Sequence, residues 1–253
     1  ISENAASMGG SQMYLEPGEQ HTVEELLKGV IMASANDGAV ALAEHLSGSV
    51  EEFVDDMNAK AAEMGLKNSH FVNTNGLPVA KHYSCAYDIG MICRQLMTYE
   101  FARDWCTAWQ EDIKVGLPGK EKDFTLTNTN KMIRTYKGAI GGKTGFTQDA
   151  GYCLAEAAQR DSTRMIAVVL GCKDSKVRFA ETARLLDHGF ASYETVPVAK
   201  KGQKLRTITL PKSDQQEVAA VPEETIAATV KKGKKANITK KISIDKSVAC
   251  PVK

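Results

Sequence analysis

The sequence is poor in the features that mark metal centres, membrane spans and nucleic-acid partners. Its six cysteines show no Cys-x-x-Cys spacing and its five histidines form no ligand pattern, so no zinc site is expected. No apolar run reaches the roughly 20 residues that a transmembrane helix needs. The net charge is +1, which gives no electrostatic reason to expect a nucleic-acid partner. With 43% hydrophobic and 25% charged residues, the composition is that of a globular protein, and several cysteines in apolar runs are expected to be reduced core residues.

The chain is organised around a lysine and a threonine between glycines, in the stretch Gly141-Gly142-Lys143-Thr144-Gly145-Phe146-Thr147. Strand-like runs follow at residues 152–158 and 165–170, and the short polar residues 160–163 separate them. This arrangement predicts a hairpin. The lysine and threonine are therefore expected on or beside a strand that pairs with the hairpin.

Two mechanisms use such a stretch. A phosphate-binding P-loop needs a glycine, four residues, then Gly-Lys-Thr and a helix. Position 137, where the first glycine should stand, is Lys137, and Gly145 with residues 149–151 disfavours a following helix. The second mechanism is the Lys-Thr-Gly strand of penicillin-binding proteins and serine β-lactamases, which accompanies Ser-x-x-Lys and Ser-x-Asn. The triplet alone is weak evidence, because an ordinary strand end with a glycine for tight packing would look the same.

A second triplet, Ser34-Ala35-Asn36, lies upstream between two predicted helical segments. Together the triplets resemble the low-molecular-mass penicillin-binding proteins, the serine-type D-alanyl-D-alanine carboxypeptidases. The resemblance covers about residues 5–192 and includes further stretches at residues 9–15, 26–30, 75–77, 149–152 and 171–178.

The resemblance implies an α/β (α+β) fold. Residues 1–192 would form a β-lactamase/transpeptidase-like domain with a helical subdomain. Beyond Tyr193 the pattern changes to alternating apolar residues near 205–209, 218–220 and 226–230, which predicts a small antiparallel β-domain over residues 193–253.

Local signals place several helices. Capping boxes at residues 22–25 and 49–52 predict two helix starts. Asp37 is expected to cap a helix over residues 38–46. A helix over residues 177–190 is expected to cover the sheet with one apolar face, formed by Ala180, Ala183, Leu186 and Phe190.

The resemblance also assigns catalytic roles. It implies that Ser34 relays a proton toward the leaving amine and that Asn36 holds the nucleophile's lysine and the substrate amide. Lys143 would add positive charge, which lowers the pKa of neighbouring amines and attracts the substrate carboxylate.

Four further residues are implied to bind substrate. Thr144 would donate a hydrogen bond to the terminal carboxylate, and Arg178 would bind it through the two-pronged guanidinium. Gly145 would let the strand approach the substrate closely, and the backbone N–H of Phe146 would stabilise the oxyanion. Some relatives carry a second arginine near Thr129, and its absence here puts a two-arginine carboxylate site in doubt.

One element of the family pattern does not occur where it is expected. The family's Ser-x-x-Lys, which bears the nucleophile, precedes Ser-x-Asn by several tens of residues, but the sequence opens at Ile1. The literal match Ser243-Ile244-Asp245-Lys246 lies near the far end and is interpreted as chance. We therefore expect an N-terminal segment, or a second chain, to supply the nucleophile and complete the fold.

The function that this resemblance implies is removal of the terminal D-Ala from peptidoglycan stem peptides, through a serine acyl-enzyme and without a cofactor. β-Lactams would inhibit it, and it would act at the outer face of the cytoplasmic membrane, in the periplasm or in the cell wall. The lysine run at residues 231–235 could indicate peripheral contact with an anionic membrane, although a solvated hairpin tip explains it better. A β-lactamase and a non-catalytic peptidoglycan-binding module remain as alternatives. The C-terminal β-domain and Arg178 favour the carboxypeptidase over the β-lactamase.

Overall fold

A computed structural model describes residues 1–209, 217–234 and 238–243. The chain divides into two compact units, one of Ile1–Gln159 with Arg164–Asp187 and the other of Arg160–Thr163 with His188–Lys253. Within the described ranges, no helix is both long and apolar enough to cross a bilayer. The Ser-x-x-Lys match at 243–246 lies, apart from Ser243, outside the described residues.

Helices dominate the first part of the chain. In order they are α1 Glu3–Ala6, α2 Val23–Lys28, a π-helical turn Gly29–Ala33, α3 Asn36–Ser47, α4 Val50–Glu63, α5 Ala86–Leu96, α6 Glu100–Thr107, α7 Met132–Thr135 and, after the sheet, α8 Ser175–Ser192.

Both predicted helix starts are confirmed. At α2, Thr22 accepts a hydrogen bond from the Glu25 N–H, and Glu25 accepts one from the Thr22 N–H, which completes the capping box. At α4, the Ser49 hydroxyl accepts from the Glu52 N–H at 3.1 Å. These helices begin where local side-chain acceptors satisfy N–H groups that have no partner inside the helix.

The predicted cap at Asp37 is wrong. Helix α3 begins at Asn36, and its N-cap is Ala35, which makes no side-chain cap. The Asp37 carboxylate is buried and accepts hydrogen bonds from the N–H groups of Met13 and Leu15 at 3.0 and 3.2 Å. The aspartate therefore ties the segment before α2 to the first turn of α3.

The predicted hairpin is confirmed, and it pairs with the lysine-bearing strand. One sheet has two strands, β1 Gln110–Val115 and β2 Lys122–Thr127, and another has three, in the order β3 Ala139–Thr147, β4 Gly151–Arg160, β5 Thr163–Cys172. Strands β3 and β4 are antiparallel, with Lys143 opposite Ala155 and Thr144 opposite Leu154.

Two hydrophobic clusters support this region. One joins the helices α2 and α3 to β1 and β2 and contains the fully buried Met32 and Leu126. The other joins α5, α6 and β4 and contains Cys93 and Cys106. Ile31 of the π-helical turn packs against both clusters, so the turn that precedes Ser34 is held from two directions.

The cysteine prediction holds only for this second cluster. Cys93 and Cys106 are buried free thiols. Cys85, Cys153 and Cys172 are free but partly exposed. Cys250 lies outside the described residues.

Helix α8 confirms the predicted position of the helix but corrects its buried face. The buried side chains are Arg178, Thr182, Leu186 and Phe190, at a spacing of one helical turn, whereas Ala180 is exposed. The pattern of apolar residues alone does not include the buried Arg178 and Thr182. The burial of an arginine and a threonine shifts the face toward them.

The second unit is built of short antiparallel strands. Strand β6 Tyr193–Ala199 pairs with β9 Ile226–Lys231, and β7 Arg206–Thr209 pairs with β8 Glu217–Ala220. The alternating patterns thus correspond to β7, β8 and β9. Of the lysine run, Lys231 ends β9, the next residues form a turn, and residue 235 lies outside the described residues.

Candidate active site

Ser34 occupies a strained position between the π-helical turn and α3. Its backbone is left-handed, with φ 63° and ψ 36°, a conformation that costs a non-glycine residue about 1–3 kcal/mol. Hydrogen bonds on both sides hold it there: the Ala35 N–H donates to the Gly29 carbonyl at 3.2 Å and the Asn36 N–H to the Ser11 carbonyl at 2.8 Å. Such strain persists only where the surrounding structure imposes it, and it often marks functional sites.

Lys143 reaches Ser34 across 109 positions of sequence. Its Nζ donates to Ser34 Oγ at 2.8 Å and to the Thr144 carbonyl at 2.9 Å. Burial and, to a smaller extent, the charge of Arg178 lower the pKa of Lys143 to about 8. The amine can therefore be either protonated or neutral near neutral pH, as an acid–base group must be.

Thr144 contacts a residue that the sequence did not single out for the site. Its Oγ1 lies 2.7 Å from Thr129 Oγ1, so one hydroxyl donates to the other. The Thr129 N–H donates to the Met32 carbonyl at 3.0 Å, inside the π-helical turn. Thr129 thus links the turn before Ser34 to the Lys-Thr-Gly strand. The resemblance implies a turn near the site at residues 128–130, but it does not predict the hydroxyl pair, because that pair depends on the tertiary arrangement.

Arg178 is hydrogen-bonded to the backbone near the end of β3. Its Nη1 donates to the carbonyls of Gly145 and Cys153 at 3.1 and 3.3 Å. The residue is 7% exposed, and burial lowers the pKa of its guanidinium. Its Nε is buried and has no hydrogen-bond partner within the described part of the chain. The guanidinium is therefore held by the strand that carries Lys143 and Thr144.

The remaining predicted residues lie at the edges of this cluster. The Asn36 side chain donates from Nδ2 to the Gly9 carbonyl at 2.7 Å. Phe146 is 55% exposed, and its ring lies 4.3 Å from that of Tyr152. Gly145 is exposed and has room beside it, since an added Cβ would lie 3.8 Å from Cys153. Ser34, Lys143 and Thr144 form one contact network, while Asn36 contacts the loop near Gly9.

A buried carboxylic acid beneath this network was also missed by the sequence reasoning. Glu156 on β4 is fully buried and accepts a hydrogen bond from Asn130 Nδ2 at 2.5 Å. Burial raises the pKa of Glu156 to about 7. Its only sequence signal was a charged residue inside an otherwise apolar strand run, flanked by Ala155 and Ala157.

A mostly apolar cavity of about 370 Å³ lies beside Lys143. Its walls come from α5 and from the strands, and include Ile89, Ile92, Leu96, Lys143, Thr144 and Leu154. An apolar space next to a lysine and a hydroxyl can accommodate an apolar side chain or helix face.

Comparison with known proteins places the whole chain. Residues 1–174 match the family profile described as D-alanyl-D-alanine carboxypeptidase, and residues 193–253 match the one described as penicillin-binding protein 5, C-terminal domain. Similar proteins include D-alanyl-D-alanine carboxypeptidase DacF of Bacillus subtilis (strain 168), 42% identical over 252 residues, with 99% of this chain and 64% of that protein covered. D-alanyl-D-alanine carboxypeptidase DacC of Escherichia coli (strain K12) is 34% identical over 241 residues, with 93% of this chain and 57% of that protein covered.

Solved structures agree with these relatives. The crystal structure of D-alanyl-D-alanine carboxypeptidase DacD from Francisella tularensis superposes with a TM-score of 0.75 at 29% identity, covering 100% of this chain and 73% of that one. The chain spans 64% and 57% of the lengths of the two curated relatives above. The resemblance and the α/β (α+β) fold expected from the sequence are confirmed: the chain belongs to the D-alanyl-D-alanine carboxypeptidase family.

Proposed function

We propose that the protein containing this chain is a serine-type D-alanyl-D-alanine carboxypeptidase that removes the terminal D-Ala from peptidoglycan stem peptides. The observation that carries the proposal is the contact of Lys143 Nζ with Ser34 Oγ at 2.8 Å, while the same Nζ donates to the Thr144 carbonyl at 2.9 Å. Two motifs that are distant in sequence thereby meet at one point. The β-lactamase and binding-module alternatives receive no support from the two relatives above, which are both named D-alanyl-D-alanine carboxypeptidases.

The chemistry is acyl transfer, in which a serine attacks the carbonyl and a base accepts its proton. Ser34, hydrogen-bonded to Lys143, passes a proton toward the leaving amine. Lys143, with a pKa of about 8, exchanges protons at neutral pH and adds positive charge where negative charge develops. Asn36 holds the nucleophile's lysine and the substrate amide once its side chain leaves the Gly9 carbonyl.

The terminal carboxylate of the substrate binds beside the end of β3. Thr144 donates a hydrogen bond to it, and Arg178 provides the neighbouring positive charge. Gly145 leaves the strand edge open for the peptide, and the N–H of Phe146 donates to the oxyanion. The support is the convergence of these groups on one short stretch of strand.

The nucleophile is supplied by a Ser-x-x-Lys segment outside residues 1–253, either upstream in the same protein or on a separate piece. The support is the apolar cavity of about 370 Å³ beside Lys143, whose lining suits one face of a helix. The chain's 64% coverage of its DacF relative leaves room for such a segment in a protein of that length.

The substrate places the activity outside the cytoplasmic membrane, where stem peptides are trimmed, and β-lactams are the expected inhibitors. Contact with the membrane surface would be peripheral and would use Lys231, Lys232 and Lys234, which are exposed. Binding to anionic vesicles, measured with and without these lysines, tests that contact separately from the activity.

The activity is tested by incubating the complete protein with a diacyl-L-Lys-D-Ala-D-Ala peptide and measuring released D-Ala. Intact mass after exposure to penicillin measures the acyl-enzyme. We expect D-Ala release and one adduct in the complete protein, and no adduct on residues 1–253 alone. Absence of both from the complete protein would overturn the function. An adduct at Ser34 or Ser243 would overturn the assignment of the nucleophile.

A further inference from the structure

We propose that Glu156 is a positioning residue for this site: its buried carboxyl group fixes the turn at residues 128–130 and thereby holds the Thr129 hydroxyl against Thr144. The proposal rests on the proposed function for its effect on rate. Its structural part, the link between Glu156 and the turn, can be tested without any activity.

Gly142 leaves space for the Glu156 carboxyl group. Gly142 and Glu156 are cross-strand partners in β3 and β4. A Cβ at position 142 would lie 2.8 Å from Glu156 Oε2 and 2.0 Å from the Ala155 carbonyl oxygen, both closer than real contacts allow. The glycine that precedes Lys143 therefore leaves room for the Glu156 carboxyl group and for a close approach of β4.

The Glu156 carboxyl group contacts the turn at residues 128–130 directly. Asn130 is 1% exposed and donates from Nδ2 to Glu156 Oε2. Its Oδ1 accepts from the Met132 N–H at 3.1 Å, and its N–H donates to Asn128 Oδ1 at 2.9 Å. Asn130 therefore has one fixed orientation, and Glu156 accepts the hydrogen bond from its amide.

The turn is also connected to the site through Thr129. Asn128 donates from Nδ2 to the carbonyls of Cys106 and Ala108 at 3.0 and 2.9 Å, which fixes the other end of the turn. Thr129 lies between the two buried asparagines, is exposed, and contacts Thr144 at 2.7 Å. The hydrogen bonds of Asn128 and Asn130 thus fix the position of the Thr129 hydroxyl from both sides, and the bond from Asn130 is accepted by Glu156.

The charge state of Glu156 makes this anchor dependent on pH. The titratable groups that face it are the thiols of Cys93 on α5 and Cys106 on α6, and burial raises their pKa values to about 12 and about 11. Both thiols are therefore neutral at neutral pH. Glu156 Oε1 is buried and has no hydrogen-bond partner within the described residues. Burial raises the pKa of Glu156 to about 7, so its ionisation, which strengthens the bond from Asn130, occurs near neutral pH.

The experiment uses the complete protein with Glu156→Gln, which keeps the shape and an acceptor oxygen but cannot titrate, and with Glu156→Ala. Glu63→Gln, on the exposed face of α4, is the matched control. The first readout is the side-chain amide resonance of Asn130 in ¹⁵N-labelled protein between pH 5 and pH 9. The second is the rate of acylation by a fluorescent penicillin over the same range.

We expect the Asn130 resonance to titrate with a midpoint near 7 in the parent protein and in Glu63→Gln, and to be independent of pH in Glu156→Gln. Acylation should fall roughly tenfold in Glu156→Ala and be largely restored by Gln, as expected for a lost buried hydrogen-bond acceptor. If Glu156→Ala does not fold, the resonance in the parent protein and the Gln variant still decide the question.

Each failure has its own signature. A parent protein that is never acylated overturns the proposed function, and the Asn130 titration still tests the anchor. An Asn130 resonance that does not titrate in the parent protein, or that titrates equally in Glu156→Gln, overturns the role of Glu156. So does an Ala variant that acylates at the parent rate.

Discussion

Two pairs of threonine hydroxyls, one in each unit, lie at similar distances in opposite surroundings. In the first unit Thr129 and Thr144 are 2.7 Å apart, and in the second Thr195 and Thr229 are 2.9 Å apart. The second pair joins cross-strand partners of β6 and β9 on an exposed face. The first pair adjoins the buried asparagines of the turn and, through them, the buried Glu156.

The difference shows how a site can be told from a sheet surface. An exposed cross-strand threonine pair contributes about 0.2–1 kcal/mol and needs no support. A buried polar group costs free energy unless hydrogen bonds satisfy it. The first unit nevertheless buries Glu156, Asn130 and Arg178 next to one strand. This burial of polar groups beside β3 supports our proposal that β3 is the functional strand.

The largest contrast is between two lysines. In the complete protein Lys143→Ala should reduce penicillin acylation by about 100- to 1,000-fold, because it removes a preorganised charge from an acyl-transfer site. Its melting temperature should not fall, since burial disfavours the charged amine. The control Lys232→Ala, in an exposed turn of the second unit, should keep the parent rate. Equal rates for the two variants would remove Lys143 from the site.

The next contrast is between two glutamates and concerns stability against pH. The pKa of Glu156 is raised from 4.5 to about 7, so the stability it contributes is full below pH 4.5 and is lost as pH rises through about 7. The free energy of unfolding of Glu156→Gln, relative to that of the parent protein, should therefore increase by about 3 kcal/mol as the pH rises from 4.5 to above 7. Denaturant melts at pH 4.5 and pH 8 measure the gain. Glu217→Gln, exposed on β8, should show no such change, and a Glu156→Gln gain that is equal at both pH values would contradict the raised pKa.

Two arginines give a smaller effect. Arg178→Lys keeps the charge but removes the planar guanidinium that contacts the Gly145 and Cys153 carbonyls. It should slow D-Ala release by about 10- to 100-fold, the effect of losing one charge-assisted hydrogen bond. A peptide with an amidated C-terminus should be affected less, because it has no carboxylate to bind. The matched change Arg206→Lys, on the exposed β7, should leave both rates unchanged. Equal slowing of the two peptides would mean that Arg178 only braces the strand.

The smallest effect is expected at the threonine pairs themselves. Thr129→Val should reduce acylation about fivefold, since the Thr144 hydroxyl loses one hydrogen bond worth about 1 kcal/mol. Thr195→Val should leave the acylation rate unchanged and should change the free energy of unfolding by at most about 1 kcal/mol. If Thr129→Val and Thr195→Val are acylated at the same rate, the two hydroxyl pairs are equivalent and the Thr129–Thr144 pair has no role in the site.

Several helix starts and the hairpin could be predicted from local sequence patterns. The caps at Thr22 and Ser49 and the hairpin after Gly145 were readable because each depends on residues only a few positions apart. The π-helical turn before Ser34 and the hydrogen bonds of Asp37 could not be predicted from the sequence. Asp37 accepts hydrogen bonds from N–H groups more than 20 positions away, and no local pattern indicates that choice.

The sequence by itself determined the family, through the order and spacing of Ser34-Ala35-Asn36 and Lys143-Thr144-Gly145, and it determined the strand on which the second triplet lies. Only the tertiary structure decided which side chains meet. The contact of Lys143 with Ser34 spans 109 positions, and the burial that shifts the pKa values of Lys143 and Glu156 comes from packing of separate helices and strands. Desolvation depends on what surrounds a group in space, which a residue's neighbours in the chain do not specify.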